Sequence, residues 1–73
     1  MRYERTPLGR LLAKARIDND ITAGELADRL DISRSELSMI ERGRTRPDDD
    51  LLAKLASALG LPAKRVREAA NGR

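Results

Sequence analysis

Apolar residues recur at helical spacing in five successive segments of the chain. The first segment begins after Thr6-Pro7, an N-cap residue followed by proline at the first helical position. The pattern predicts a helix from Pro7 to about Asn19. The apolar stripe of this helix consists of Leu8, Leu12 and Ala15, with Leu11 at its flank.

Two short helices follow, and both begin with the Ser/Thr-x-x-Glu spacing of a capping box. The first box runs from Thr22 to Glu25, and the second, eleven residues later, runs from Ser33 to Glu36. Gly43 is suited to the left-handed conformation that ends many helices, so the second helix is expected to stop there. The apolar positions that the two helices would bury are Leu26, Leu30, Leu37 and Ile40.

A fourth and a fifth helix complete the pattern. Asp48 is placed to cap the fourth helix and Gly60 to end it. Leu61-Pro62 begins the fifth helix, which extends through Val66 to about Ala70. All five predicted helices are joined by short connections, which is typical of a small helical bundle.

The composition agrees with a helical domain. A chain of 73 residues supports one domain with a modest core. Most apolar residues are Leu and Ala, which are strong helix formers, and aromatic strand formers are nearly missing. The sequence therefore predicts an all-α, compact bundle of five short helices over residues 7–70, with a flexible N-terminal arm (1–6) and a C-terminal tail (71–73).

Several function classes are unsupported by the residue types present. The chain contains neither cysteine nor histidine, so a disulfide framework is excluded and zinc chemistry is not expected. The acidic run Asp48–Asp50 fits the positive end of a helix dipole without any catalytic role. We therefore expect no catalytic residue, metal site, cofactor or small-molecule ligand. No apolar run is long enough to span a bilayer, which favours a soluble, cytoplasmic protein.

The distribution of charge is more informative than the net charge of +3. Four arginines, Arg34, Arg42, Arg44 and Arg46, lie within thirteen residues that hold only two acidic side chains. Arginine is well suited to hydrogen bonding with phosphates and base edges. Charge alone leaves a solvated charged surface equally open.

The two capping boxes point to a more specific geometry. Two short helices separated by a three-residue break must cross steeply if their apolar faces are to be buried together. This is the geometry of a DNA-binding helix-turn-helix, whose second helix lies in the major groove. Arg34, Ser35 and Ser38 point away from the face that buries Leu37 and Ile40, and they carry the hydrogen-bonding groups that base reading needs.

Residues 8–66 resemble the phage Cro/repressor-type helix-turn-helix family, also called XRE-like. The resemblance covers about four-fifths of the chain, and the motifs are highly specific when they are taken together. They read Ile21-Thr22-x-x-Glu25-Leu26-Ala27-x-x-Leu30-x-Ile32-Ser33-x-Ser35-x-Leu37-Ser38-x-Ile40-Glu41-x-Gly43-x-x-x-Pro47, and then Leu51-Leu52-x-x-Leu55-Ala56-x-Ala58-Leu59-Gly60-Leu61-Pro62.

The resemblance implies roles for individual residues. The base-reading positions of the recognition helix, residues 33–42, fall on Arg34 and Ser35, with Met39 one turn further on. The small residue at the close approach of helices 2 and 3 is Ala27, and a buried Arg–Glu pair falls on Arg16 and Glu41. The phosphate-contacting region after the recognition helix falls on Arg42, Arg44, Thr45 and Arg46.

The sequence departs from the family pattern at two positions. Ala23 replaces the usual glutamine, which contacts phosphate and supports the first base-reading side chain. This change shifts the expected phosphate contact to the backbone N–H groups of Thr22 and Ala23 at the start of helix 2. Asp31 replaces the usual glycine of the turn, and we expect a positive φ there with some strain.

The predicted function is sequence-specific transcriptional regulation, most simply repression, by a protein that binds double-stranded DNA as a homodimer. A near-palindromic operator follows from two copies related by a two-fold axis. The alternative is an antitoxin-type protein-interaction module that also binds DNA. Four apolar residues with little chain left to cover them are expected to form the dimer contact: Leu61, Val66, Ala69 and Ala70.

Overall fold

The computed structural model describes residues 6–71, so the predictions for residues 1–5 and 72–73 lie outside the described residues. Within this part of the chain the all-α prediction is confirmed. None of the described helices combines the length and apolarity needed to cross a membrane. The helices are α1 (Pro7–Asp18), α2 (Ala23–Leu30), α3 (Arg34–Glu41), α4 (Asp49–Leu59) and α5 (Ala63–Ala70).

Side-chain caps begin four of these helices at the expected residues, Thr6, Thr22, Ser33 and Asp48. At α2 the capping box is complete: the Thr22 hydroxyl accepts from the Glu25 N–H, and the Thr22 N–H donates to the Glu25 carboxylate at 2.9 Å. Hydrogen bonds from the backbone and side chain of Thr22 lower the pKa of Glu25. The second predicted box is only half formed, because Ser33 caps the Glu36 N–H but no return bond from Glu36 is present among the described residues.

The turn between α2 and α3 adopts the predicted left-handed conformation. Asp31 has φ 60° and ψ 42°, and its N–H donates to the carbonyl of Asp28 at the end of α2. A side chain with a Cβ is disfavoured in this region, whereas glycine enters it freely. The turn therefore keeps its shape at some cost in stability.

Asp31→Gly should raise the free energy of unfolding by about 0.5–1 kcal/mol, because the relief of left-handed strain exceeds the extra freedom of glycine in the unfolded chain. Urea denaturation followed by far-UV circular dichroism measures the change. Asp28→Gly is the matched control within the negative-φ part of α2, and it should lower stability slightly. If both variants lost stability to the same extent, Asp31 would carry no strain.

The core is aliphatic and draws on every helix. Its buried residues are Leu8, Leu12, Ala15, Ile21, Leu26, Ala27, Leu30, Leu37, Ile40, Leu52, Leu55, Ala56, Leu59 and Val66. Ala27 is 1% exposed, as expected for the residue at the close approach of α2 and α3. Val66 is 0% exposed, because α5 turns this residue onto α1 and α4. The prediction that Val66 contacts a partner is therefore wrong, and its side chain belongs to the core.

A close contact between α1 and the end of α3 was not foreseen. A Cβ added at Gly9 would overlap the carbonyl oxygen of Glu41 and lie 2.9 Å from the carbonyl carbon. Both atoms belong to the backbone, so no side-chain rotation relieves the overlap. Gly9 thus lets α1 pack directly against the C-terminal end of α3, and this contact helps to position the helix that carries the candidate site.

Candidate nucleic-acid interface

Helix α3 has one buried face and one polar exposed face. Leu37 and Ile40 are in the core, at 0% and 1% exposure. Of the predicted base-reading residues, Arg34, Ser35 and Met39 are exposed and Ser38 is half-buried. The four side chains therefore share the side of α3 that faces away from the core, which leaves their polar and sulfur-bearing ends accessible.

Arg34 lies against the beginning of α2. A Cβ added at Gly24 would be 3.6 Å from Cδ and 3.8 Å from Nε of Arg34, so the Arg34 side chain extends past Gly24 with room for a methyl group between them. Arg34 makes no hydrogen bond or ion pair within residues 6–71. The hydrogen-bonding fork of the Arg34 guanidinium therefore stays available.

A shallow depression separates the start of α2 from α3, where the small Ala23 side chain stands. We call it the α2–α3 depression. It opens beside the base-reading residues and is lined by Ala23, Arg34, Ser35, Leu37, Ser38 and Glu41.

The start of α2 offers fewer phosphate-binding groups than the sequence suggests. The Thr22 N–H is already bonded to the Glu25 carboxylate, as part of the capping box. The Ala23 N–H is one of the first-turn donors for which a helix supplies no acceptor. Of the two predicted backbone contacts, Ala23 is therefore the better placed donor.

The loop after α3 carries the basic residues, and they are not equivalent. Arg42 is the exposed C-cap residue of α3, and Arg44 and Thr45 are exposed in the loop that follows. Arg46 instead donates to the Asn71 side chain at 3.0 Å and to the Pro47 carbonyl at 3.4 Å. Its guanidinium ties the loop to the end of α5, so Arg46 is a weaker candidate for phosphate contact than Arg42.

An ion pair supports the far end of α3, as expected from the family resemblance. Arg16 Nε lies 3.0 Å from Glu41 Oε2, and the two side chains are only 19% and 10% exposed. Arg16 Nη1 also donates to the carbonyl of Ile21 at 3.2 Å. One arginine therefore joins α1, the connection to α2 and the end of α3.

The remaining candidates for the dimer contact lie on either side of α5 along the chain: Leu61 precedes the helix, and Ala69 and Ala70 are its last two residues. Leu61, Ala69 and Ala70 are half-buried and pack against the core. Near the last two residues, the N-terminal end of α1, the end of α3 and the loop after it form a small apolar depression. These residues offer a partner only a limited apolar area.

Comparison with known proteins identifies the class. Residues 12–66 match the helix-turn-helix family HTH_3, and the chain belongs to this family. Its members are DNA-binding transcriptional regulators of the XRE type and are not enzymes, so family membership confirms both the Cro/repressor resemblance and the expectation that the chain is not an enzyme.

Particular relatives are regulators of transcription. The transcriptional regulator ClgR of Mycobacterium tuberculosis (strain ATCC 25618 / H37Rv) is 40% identical over 58 residues, which cover 80% of this chain and 52% of ClgR. The chain thus spans about half the length of that relative. The crystal structure of the clp gene regulator ClgR from Corynebacterium glutamicum superposes with a TM-score of 0.79 at 38% identity, over 90% of this chain and 70% of that one.

A more distant structure shares the fold. An HTH_3 family transcriptional regulator from Vibrio cholerae has a TM-score of 0.74 at 24% identity, over 86% of this chain and 35% of that one. The five-helix arrangement is therefore retained at low sequence identity.

Proposed function

We propose that this protein is a sequence-specific transcriptional regulator, acting in the cytoplasm as a repressor, that binds double-stranded DNA as a homodimer. The observation that carries the proposal is the polar face of α3, where Arg34, Ser35 and Ser38 stand above the buried pair Leu37 and Ile40. The similarity to ClgR, which is described as a transcriptional regulator, supports it.

The geometry suits two kinds of DNA contact, base contacts that read the sequence and phosphate contacts that position the protein. Arg34 extends past Gly24 and has the fork that binds N7 and O6 of guanine. Ser35 and Ser38 hydrogen-bond to base edges, and the Met39 side chain contacts thymine methyl groups or sugars. Arg42 and Arg44, together with the Ala23 N–H, bind phosphates on either side of the recognition helix.

Two copies of the domain are needed to select one site in a genome. A single recognition helix covers about four to five base pairs, and two-fold symmetric dimers place two such helices about 34 Å apart. The proposed contact between copies consists of Leu61, just before α5, and of Ala69 and Ala70 at the end of α5. Its small apolar area favours a dimer that is weak in solution and is stabilised by binding to DNA.

Binding can be tested with a duplex selected by the protein from a random DNA pool. The affinity for that duplex should fall about 10²-fold between 50 and 200 mM salt, as expected for about four phosphate contacts from Arg42 and Arg44 of two copies. Arg34→Ala should weaken binding by about 1–3 kcal/mol and relax the preference at one guanine. Fluorescence anisotropy titrations on the selected and a scrambled duplex measure both effects.

Arg42→Ala is the matched control for Arg34→Ala. It should weaken binding to both duplexes alike and reduce the salt slope by about one per copy. If Arg42→Ala changed the base preference while Arg34→Ala did not, the assigned roles would be reversed. A pool from which no sequence is enriched would overturn sequence-specific binding itself.

Sedimentation should find mainly monomer at low micromolar protein and two copies on the selected duplex, because DNA drives the pairing by mass action. A duplex that keeps only one half-site is the control, and it should bind one copy with a much lower affinity. One copy on the complete site would contradict the dimer.

A further inference from the structure

The α2–α3 depression lies directly beside the side chain proposed to read guanine. We propose that it receives the C5 methyl group of a pyrimidine, thymine or 5-methylcytosine, next to the guanine bound by Arg34. This inference rests on the proposed function and adds a base-pair preference to it. Ala23 thereby becomes a specificity-determining residue, although its side chain has no hydrogen-bonding group.

The lining of the depression suits a methyl group. The Ala23 methyl stands at the beginning of α2, the Arg34 stem forms a wall, and Leu37 lies beneath. Apolar contact with the pyrimidine methyl is one of the ways in which proteins distinguish thymine in the major groove. An alanine methyl and an aliphatic stem supply that contact.

The one acidic group in the lining does not spoil this environment. The Glu41 carboxylate is bonded to Arg16 at 3.0 Å, and its side chain is only 10% exposed. Its charge is therefore balanced within the protein and is directed toward α1. A methyl group that enters the depression meets the ion pair rather than an isolated anion.

The position of Arg34 places the pyrimidine methyl on the base next to the guanine. The stem of Arg34 passes Gly24 and lines the depression, so a guanidinium that forks onto guanine leaves the stem alongside the next base. Successive bases on one strand are about 3.4 Å apart, and the C5 position of a pyrimidine lies on the same groove edge as N7 and O6 of guanine. A methyl on that carbon is then within reach of the depression.

The test replaces single methyl groups in the DNA. A duplex selected by the protein from a random pool is resynthesised in several versions. In each version, deoxyuridine replaces one thymidine that lies next to a guanine of the selected site. One such change should lower the affinity by about fourfold, the loss expected for one buried methyl group. Where the flanking base is cytosine, 5-methylcytosine should raise the affinity by a similar factor.

Ala23→Leu supplies the decisive variant, because its larger aliphatic side chain fills the depression and cannot form the phosphate contact of the usual glutamine. It should abolish the difference between thymidine and deoxyuridine. Ala63→Leu, at the equivalent first position of α5 and exposed, is the matched control and should retain the difference. Circular dichroism checks that both variants are folded.

The outcomes separate the inference from the proposed function. Specific, salt-dependent binding without any effect of the methyl group would overturn the inference and leave the proposed function standing. A methyl effect that persists in Ala23→Leu would place the methyl contact elsewhere and would also overturn it. Failure to enrich any sequence would overturn both.

Discussion

Glu41→Ala should lower the free energy of unfolding by about 3–5 kcal/mol, because it leaves the Arg16 guanidinium without its carboxylate in a largely buried position. Arg16 is held between the Glu41 carboxylate at 3.0 Å and the Ile21 carbonyl at 3.2 Å, and its side chain is only 19% exposed. A domain of this size has a total stability near the lower end of about 5–15 kcal/mol, so the variant should be close to unfolded at 25 °C. Thermal and urea melts followed by circular dichroism measure the loss.

The exposed ion pair of α1 provides a matched comparison. Lys14 and Asp18 are also 3.0 Å apart, but their side chains are 76% and 60% exposed. Asp18→Ala should cost no more than about 0.5 kcal/mol, because solvent already screens this pair. Equal melts for Glu41→Ala and the unaltered protein would show that Arg16 and Glu41 do not act as a buried pair.

Gly9→Ala should destabilise the protein by about 3 kcal/mol, at the upper end of the usual cost of overpacking. The new methyl would overlap the backbone carbonyl of Glu41, so α1 has to move away from the end of α3. Affinity for the selected DNA should fall with stability, since this displacement disturbs the support of the recognition helix. Urea melts and binding titrations on the same preparation measure the two effects.

Gly24→Ala is the appropriate control, because the same substitution meets a different environment. The nearest atoms to the added methyl would be Cδ and Nε of Arg34, at 3.6 and 3.8 Å, which is ordinary van der Waals contact. Alanine is the better helix former, so stability should rise by about 0.5–1 kcal/mol. If both variants gained stability, the inference that Gly9 allows close packing of α1 against Glu41 would be contradicted.

Local signals explain why the helices could be predicted so closely from the sequence. Caps such as Thr22 and Asp48 act within one helical turn, and their partners lie three residues away along the chain. The left-handed residues Asp31 and Gly60 likewise end helices through bonds to the preceding turn. Such features need no knowledge of how the helices pack, which is why the bounds of α2, α3 and α4 were predictable.

Features that depend on packing between distant segments were harder to predict. The apolar side of α5 is visible in the sequence, but only the docking of the helix shows that Val66 points into the core while Ala69 and Ala70 lie at its margin. From the sequence, Arg46 cannot be distinguished from the other basic residues of the loop. Only the structure shows its contact with Asn71, which is twenty-five positions away. Two contacts between distant segments were predicted, the Arg16–Glu41 pair and the close approach at Ala27. Both predictions came from the family resemblance.

The start of α5 differs from the other helix starts in a way that bears on local opening. Pro62 supplies the N-cap without any side-chain hydrogen bond to the first turn of the helix. Val66 is the one buried residue of α5, whereas α2 and α3 each bury three residues, so fewer side chains of α5 are anchored in the core. In hydrogen exchange, the amides of α5 should therefore open at a lower free energy than those of α2 and α3, as a separate cooperative unit. Pairing of two copies at the end of α5 would raise the free energy of its local opening. Binding of two copies to DNA should then slow amide exchange in α5, although this helix is not proposed to contact bases.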